Sequence, residues 1–128
     1  MLAASTCVGL LGVLVFGLGF GVSLVRGATG TAAGYTDDPA DRLYKWVRAH
    51  GNTVEYAPML AVLMLWLGGR GAPAWVGWTM VVATAARYLI VVGILASPTM
   101  AKPHPARFVG AVGTYVAGLA LAIAALVY

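Results

Sequence analysis

The sequence predicts an all-α integral membrane protein, a single domain over residues 1–128 built as a four-helix up-down-up-down bundle. Three observations carry that prediction. The chain is 61% hydrophobic and 9% charged, where a soluble domain averages about 25% charged residues. Its charges sit mostly at the ends of long apolar runs, as in polytopic membrane proteins. Four such runs, at about 2–25, 42–67, 74–96 and 106–127, are joined by short connections, which favours antiparallel neighbours.

The first span, Leu2–Val25, stops at Arg26. No basic residue precedes it and the positive charge follows it, which argues against a cleaved signal peptide. Gly12, Gly17, Gly19 and Gly21 give it small faces for close helix packing. The connection Gly27–Ala40 is rich in Gly, Thr and Asp. Asp38 or Asp41 can cap the second helix, and Pro39 suits its first turn. That helix runs to about Leu67 with Pro58 inside it, where a lost backbone donor and a displaced Val54 carbonyl predict a kink. Gly68–Pro73 is a turn, and Trp66, Trp75 and Trp78 around it form an aromatic belt. The third span, Ala74–Ala96, is interrupted only by Arg87, and a proline-rich loop leads to the fourth, with Arg107 at its entrance.

Arg26, Arg42, Lys45, Lys102 and Arg107 lie in or beside the first and third loops; the other side holds only Arg70. The positive-inside rule then places those two loops in the cytoplasm and both termini outside. The net charge of +4 is scattered, with no basic run interleaved with aromatics, so no nucleic-acid surface is expected. One cysteine, Cys7, and two distant histidines, His50 and His104, offer no metal-ligand spacing. Cys7 reads as a small buried hydrophobe. His50 falls about 200° round the helix from Arg48 and is assigned to packing. His104 is a loop histidine that could serve as a base or stay solvated.

The chemistry concentrates on the second helix. Asp41, Lys45, Arg48, Asn52 and Glu55 recur every three or four residues and share one face. A charge facing lipid at a helix centre costs roughly 2.5–3.5 kcal/mol on insertion scales. The stripe therefore faces other helices, water or a polar ligand. Two readings stay open. One is a structural lock in which Arg48, Asn52 and Glu55 tie helices together. The other is a pocket for a small zwitterion or anion: Arg48 forks onto a carboxylate, Asn52 supplies donor and acceptor, Glu55 takes an ammonium, and Tyr56 adds a phenol at the rim. Arg87 needs a partner at its depth; Glu55, the one acid beyond the first loop and the helix start, is expected to approach it, within a chain or between subunits. Arg107 either snorkels to the interface or stabilises a developing anion. Arg26 either marks the lipid boundary or serves the same pocket.

The stretch Val47-Arg-Ala-His-Gly-Asn-Thr-Val-Glu-Tyr-Ala-Pro58, with Asp41-Arg42 before it, resembles the signature of the MAPEG family, membrane-associated proteins in eicosanoid and glutathione metabolism. The likeness extends to the four spans, the arginine midway along the third and Pro105-Ala-Arg107, and is nearest to the family's bacterial branch. The resemblance implies a homotrimer in a bacterial inner membrane with a glutathione pocket between subunits. It implies that Arg48, Asn52, Glu55, Tyr56 and Arg87 hold the tripeptide, that Arg26 joins them, and that Arg107 activates the thiol. It further implies a lipophilic co-substrate arriving from the bilayer, a detoxifying transferase or peroxidase, and no metal. The chain departs from the family pattern at Ile90 and Ile94, where catalytic relatives usually carry hydrogen-bonding side chains. Two other functions are set beside the enzyme: a non-catalytic lipid-binding or scaffold protein of the same fold, and a small proton-coupled exporter working through Glu55.

Overall fold

Leu2–Thr29 forms α1, Arg42–Gly68 forms α2, Ala74–Ala96 forms α3 and Pro105–Val127 forms α4, in a computed structural model that describes residues 1–128. Helix α1 packs most closely along α2, and α3 along α4. Helices α2 and α3 bring the two pairs together, while α1 and α4 do not meet. The bundle is therefore a diamond with α2 and α3 on its short diagonal.

Its core is small and aliphatic. Toward the ends holding the termini, Cys7, Leu11, Leu60, Met64, Leu67, Val76, Met80 and Leu121 are buried together. Toward the other end Leu14, Leu18, Ala49, Ile90, Val91 and Ile94 form a second cluster. The larger side chains point outward: Phe16, Phe20, Val62, Trp78, Phe108, Leu119 and Ile123 are all exposed. An apolar surface of that extent is normal against lipid and untenable in water. Helices α1, α3 and α4 are each long and apolar enough to cross a membrane; α2 is as long, but its first half carries the polar stripe.

Close approach depends on missing side chains. A Cβ on Gly93 would lie 2.6 Å from the Arg107 backbone nitrogen, and one on Gly110 would lie 2.7 Å from that of Ile90. The backbones of α3 and α4 thus touch at the entrance of α4, as small-residue helix contacts allow in membranes. Gly21 receives the Trp46 ring and Gly19 faces His50, so His50 packs between α1 and α2 as expected. Gly12 and Gly17 meet nothing. Their assignment to a packing face does not hold within one chain. Buried hydroxyls of Thr53, Thr84, Ser97 and Thr114 are satisfied by the carbonyl four residues earlier.

The helix ends adjust the expected boundaries. Helix α1 continues past Val25 to Thr29 and stops at Gly30, whose φ of 66° is the left-handed cap that glycine adopts without strain. Asp41, not Asp38, caps α2 by accepting the Tyr44 N–H at 2.9 Å. Pro39 lies outside the helix, in the preceding turn, so it does not occupy the first turn. Helix α2 runs through Pro58 without a break. Helix α4 begins at Pro105, capped by His104. The first and third loops share one end of the bundle: Met100 N–H donates to Pro39 O at 2.8 Å, and Lys45 Nζ donates to Ser97 O at 3.1 Å.

Candidate functional site

At that loop end, α2, α3 and α4 diverge around a cleft of about 360 Å³. Arg48 and Asn52 enter from α2, Arg107 from α4 and His104 from the turn before it, with Ile90 and Ile94 of α3 as the apolar wall. The four-residue spacing that stacks Arg48 under Asn52 puts both on the side of α2 facing the α3–α4 pair. The contact at Gly93 fixes where α4 starts, and hence where Arg107 stands.

Each polar group in the cleft has a defined state of engagement. The Arg107 guanidinium uses Nη1 alone to hold the loop, donating to Met100 O at 3.2 Å and Lys102 O at 3.0 Å. Its remaining N–H groups have no partner in the chain. The Arg48 side chain is half-buried and makes no hydrogen bond within the chain. His104 Nδ1 accepts the Ala106 N–H at 3.3 Å, which assigns the imidazole proton to Nε2. The histidine caps α4 and lines the cleft. Nothing in its sequence context distinguished it beyond its place between two prolines.

Arg87 is 1% exposed and bonds to the same asparagine. Its Nη2 donates to Asn52 Oδ1 at 2.6 Å and to Asn52 O at 2.9 Å, while Nε is buried with no partner. This corrects the expected Arg87–Glu55 pairing within the chain: the partner lies one helical turn earlier, and Glu55 is exposed. The Asn52 amide oxygen takes one of its two possible hydrogen bonds from Arg87.

Glu55 and Tyr56 line a different recess, an apolar groove of about 450 Å³ between α2 and α4. There the Tyr56 hydroxyl lies 3.3 Å from that of Tyr115, their rings meet edge to face, and the Arg87 guanidinium sits 5.1 Å from the Tyr56 ring centre. Tyr115 had no signal in the sequence, being one aromatic residue in an apolar helix. Arg26 joins neither recess. Its Nη1 donates to Gly34 O at 2.7 Å and Thr31 O at 3.4 Å, folding the first loop back on α1. Of the seven expected site residues, Arg48, Asn52 and Arg107 therefore converge, Arg87 stands behind them, and Glu55, Tyr56 and Arg26 lie elsewhere in the protomer.

The model of the MAPEG family matches residues 4–127, nearly the whole chain. The chain belongs to the MAPEG family. Neither a curated protein nor a solved structure matches it. A MAPEG protein is a membrane helical bundle of the glutathione and eicosanoid metabolism kind, and the four long helices with their apolar exterior fit that description.

Proposed function

We propose that this MAPEG protein is a membrane-bound transferase or peroxidase that uses glutathione or a related thiol against lipophilic electrophiles or hydroperoxides. The observation that carries the proposal is the meeting of Arg48, Asn52 and Arg107, from two helices, in one cleft with hydrogen-bonding capacity left over. A purely structural lock would saturate those groups against one another. Here only Asn52 and Arg87 bond to one another, and neither is saturated by the contact.

In this reading the thiol compound enters from the cytoplasmic side, where the positive loops lie, and its carboxylates fork onto Arg48 and the free face of Arg107. A thiol with pKa about 8.5 is roughly 3% ionised at pH 7, and one unit of depression raises that to about 24%. A guanidinium beside the sulfur supplies such a shift. In the transfer reaction the thiolate forms a carbon–sulfur bond, the leaving group departs with its electron pair, and the thiol proton goes to water. With a hydroperoxide, the thiolate attacks the outer oxygen and the O–O bond breaks. The alkoxide takes a proton, and a second thiol reduces the sulfenic acid to give disulfide and water. The co-substrate arrives from the bilayer, and the family's trimeric habit would set a neighbouring subunit beside the cleft, bringing its Arg26, Glu55 or Tyr56 within reach.

Ile90 and Ile94 favour a second reading. With no donor on the α3 wall, and with apolar grooves of about 640 Å³ between α1 and α3 and about 450 Å³ between α2 and α4, the protein could hold lipid without catalysis. A conjugation assay on purified protein separates the two. We expect thiol-dependent turnover, with kcat/KM falling about 10- to 100-fold in Arg107→Ala and the rising limb of the pH profile moving upward by about one unit. Lipid-induced thermal stabilisation with no thiol response would leave the lipid-binding reading instead.

A further inference from the structure

We propose that Lys45 is a positioning residue for Arg107: it ties down the loop that aims the Arg107 guanidinium into the cleft. The contact between Gly93 and the start of α4 fixes the Arg107 backbone. It leaves the guanidinium at the end of a long stem with many rotamers open to it. What restrains that end is the loop of residues 97–104, through the two bonds from Nη1 to Met100 O and Lys102 O. Both acceptors belong to the loop backbone, so the direction of the guanidinium follows the loop.

The loop is in turn held at two places from outside the α3–α4 pair. Lys45 Nζ, from the first turn of α2, donates to Ser97 O at 3.1 Å. Ser97 ends α3, and a cation is favoured at the carbonyl end of a helix. Met100 N–H donates to Pro39 O at 2.8 Å. The turn that presents Pro39 O is closed by Asp38, whose Oδ1 accepts the Ala40 N–H at 2.9 Å and whose backbone oxygen accepts the Asp41 N–H at 3.0 Å. Met100 therefore joins the two halves of the chain: its N–H reaches the turn before α2, and its carbonyl receives Arg107. Of the two outside ties, only the one to Ser97 comes from a side chain, so Lys45 is where a substitution can cut the restraint.

Lys45 does not line the cleft and so does not touch a ligand seated there. Met100, Pro103 and His104 do line it, and a displaced loop alters that wall together with the aim of Arg107. Helical spacing sets Lys45, Arg48 and Asn52 on one face of α2, and the three divide the work. Lys45 goes to the loop, Arg48 into the cleft and Asn52 to Arg87.

The effect on turnover rests on the proposed part of Arg107 in thiol activation; the hold of Lys45 on the loop does not. The test uses purified full-length protein and keeps the two apart. Lys45→Met retains most of the stem and loses the donor and the charge. Labelling of Arg107 by phenylglyoxal, read by peptide mapping, is expected to quicken about threefold or more, and amide exchange at Met100 with it. Labelling of Arg48 and the melting temperature should hold, and Lys45→Arg should restore the wild-type rates. With glutathione, kcat/KM should fall about five- to tenfold, a fraction of the roughly 100-fold that a misplacement of about 1 Å can cost. The rising limb of the pH profile should move upward, as in Arg107→Ala. In the Arg107→Ala background the same Lys45→Met should change kcat/KM by less than about twofold, because no guanidinium is left to aim. Unchanged Arg107 labelling and Met100 exchange would overturn the inference. So would a turnover loss of equal size with and without Arg107 that fades at high salt, the mark of a cation that only steers anions. Quickened Arg107 labelling in a protein whose wild type turns over no thiol would retire the transferase reading and leave the hold of Lys45 on the loop standing.

Discussion

Gly93 is the position where one methyl group should move the chemistry. Its Cβ in Gly93→Ala would sit 2.6 Å from Arg107 N, 2.9 Å from Arg107 Cγ and 3.0 Å from Ala106 C, whereas ordinary contact begins at 3.4 Å. Two of those three atoms are backbone, so no rotamer change relieves them. The first turn of α4 has to retreat by about 0.8 Å. Overpacking of this kind costs typically 1–3 kcal/mol, which for a chain of this size lowers Tm by roughly 4–12 °C. Arg107 moves with the backbone, and a misplacement of about 1 Å in a reacting geometry can cost about 100-fold. Cys7, 3% exposed in the core, provides the assay: a thiol-reactive fluorophore labels it only as the bundle opens. The same heating run on Gly12→Ala, where a Cβ meets nothing, should show unchanged or slightly higher stability. If Gly93→Ala melts with the wild type and turns over thiol at the same rate, the α3–α4 backbone contact does not set the position of Arg107.

Three other outcomes follow from particular contacts. Asn52→Leu removes the side-chain acceptor of the buried Arg87, leaving it the residue-52 backbone carbonyl, and should cost about 1–3 kcal/mol, whereas the double variant Asn52→Leu/Arg87→Met should recover most of that loss; additive destabilisation across the cycle would show that the two side chains are not coupled. Asp41→Ala removes the acceptor for Tyr44 N–H and should cost about 1 kcal/mol without altering ligand affinity, measured by melting and by titration. Tyr115→Phe deletes one hydroxyl of the Tyr56 pair in the α2–α4 groove. Should that groove receive the lipophilic co-substrate, the variant raises its KM and leaves that of the thiol unchanged.

Helices α1, α3 and α4 were legible because hydropathy and length alone determine them, α2 through the helical spacing of its polar stripe and its apolar second half, and the loop-end placement of Arg48 and Arg107 followed from helical spacing and Pro105. The missed details have physical causes. A periodicity shows which side chains share a face but not which turn of the neighbouring helix stands opposite, so Arg87 could be matched with Glu55 when its partner is Asn52, one turn away. The extra turn of α1 depended on Gly30 adopting a left-handed conformation, one of several glycines that could have done so. The carbonyls that engage Arg26 within the protomer, those of Thr31 and Gly34, are invisible in a string of side chains. The backbone contact between α3 and α4, at Gly93 and Gly110, is marked only by glycine, and glycine abounds in this chain.

The central claim is that the cleft formed by α2, α3 and α4 holds the thiol ligand. A structure of the purified protein determined with glutathione bound tests it most directly. Density with carboxylates on Arg48 and Arg107, the Asn52 amide nitrogen donating and the sulfur beside Arg107 is the predicted result. An unfilled cleft at saturating glutathione, with Arg48 and Arg107 instead paired to groups of the protein itself, would contradict it.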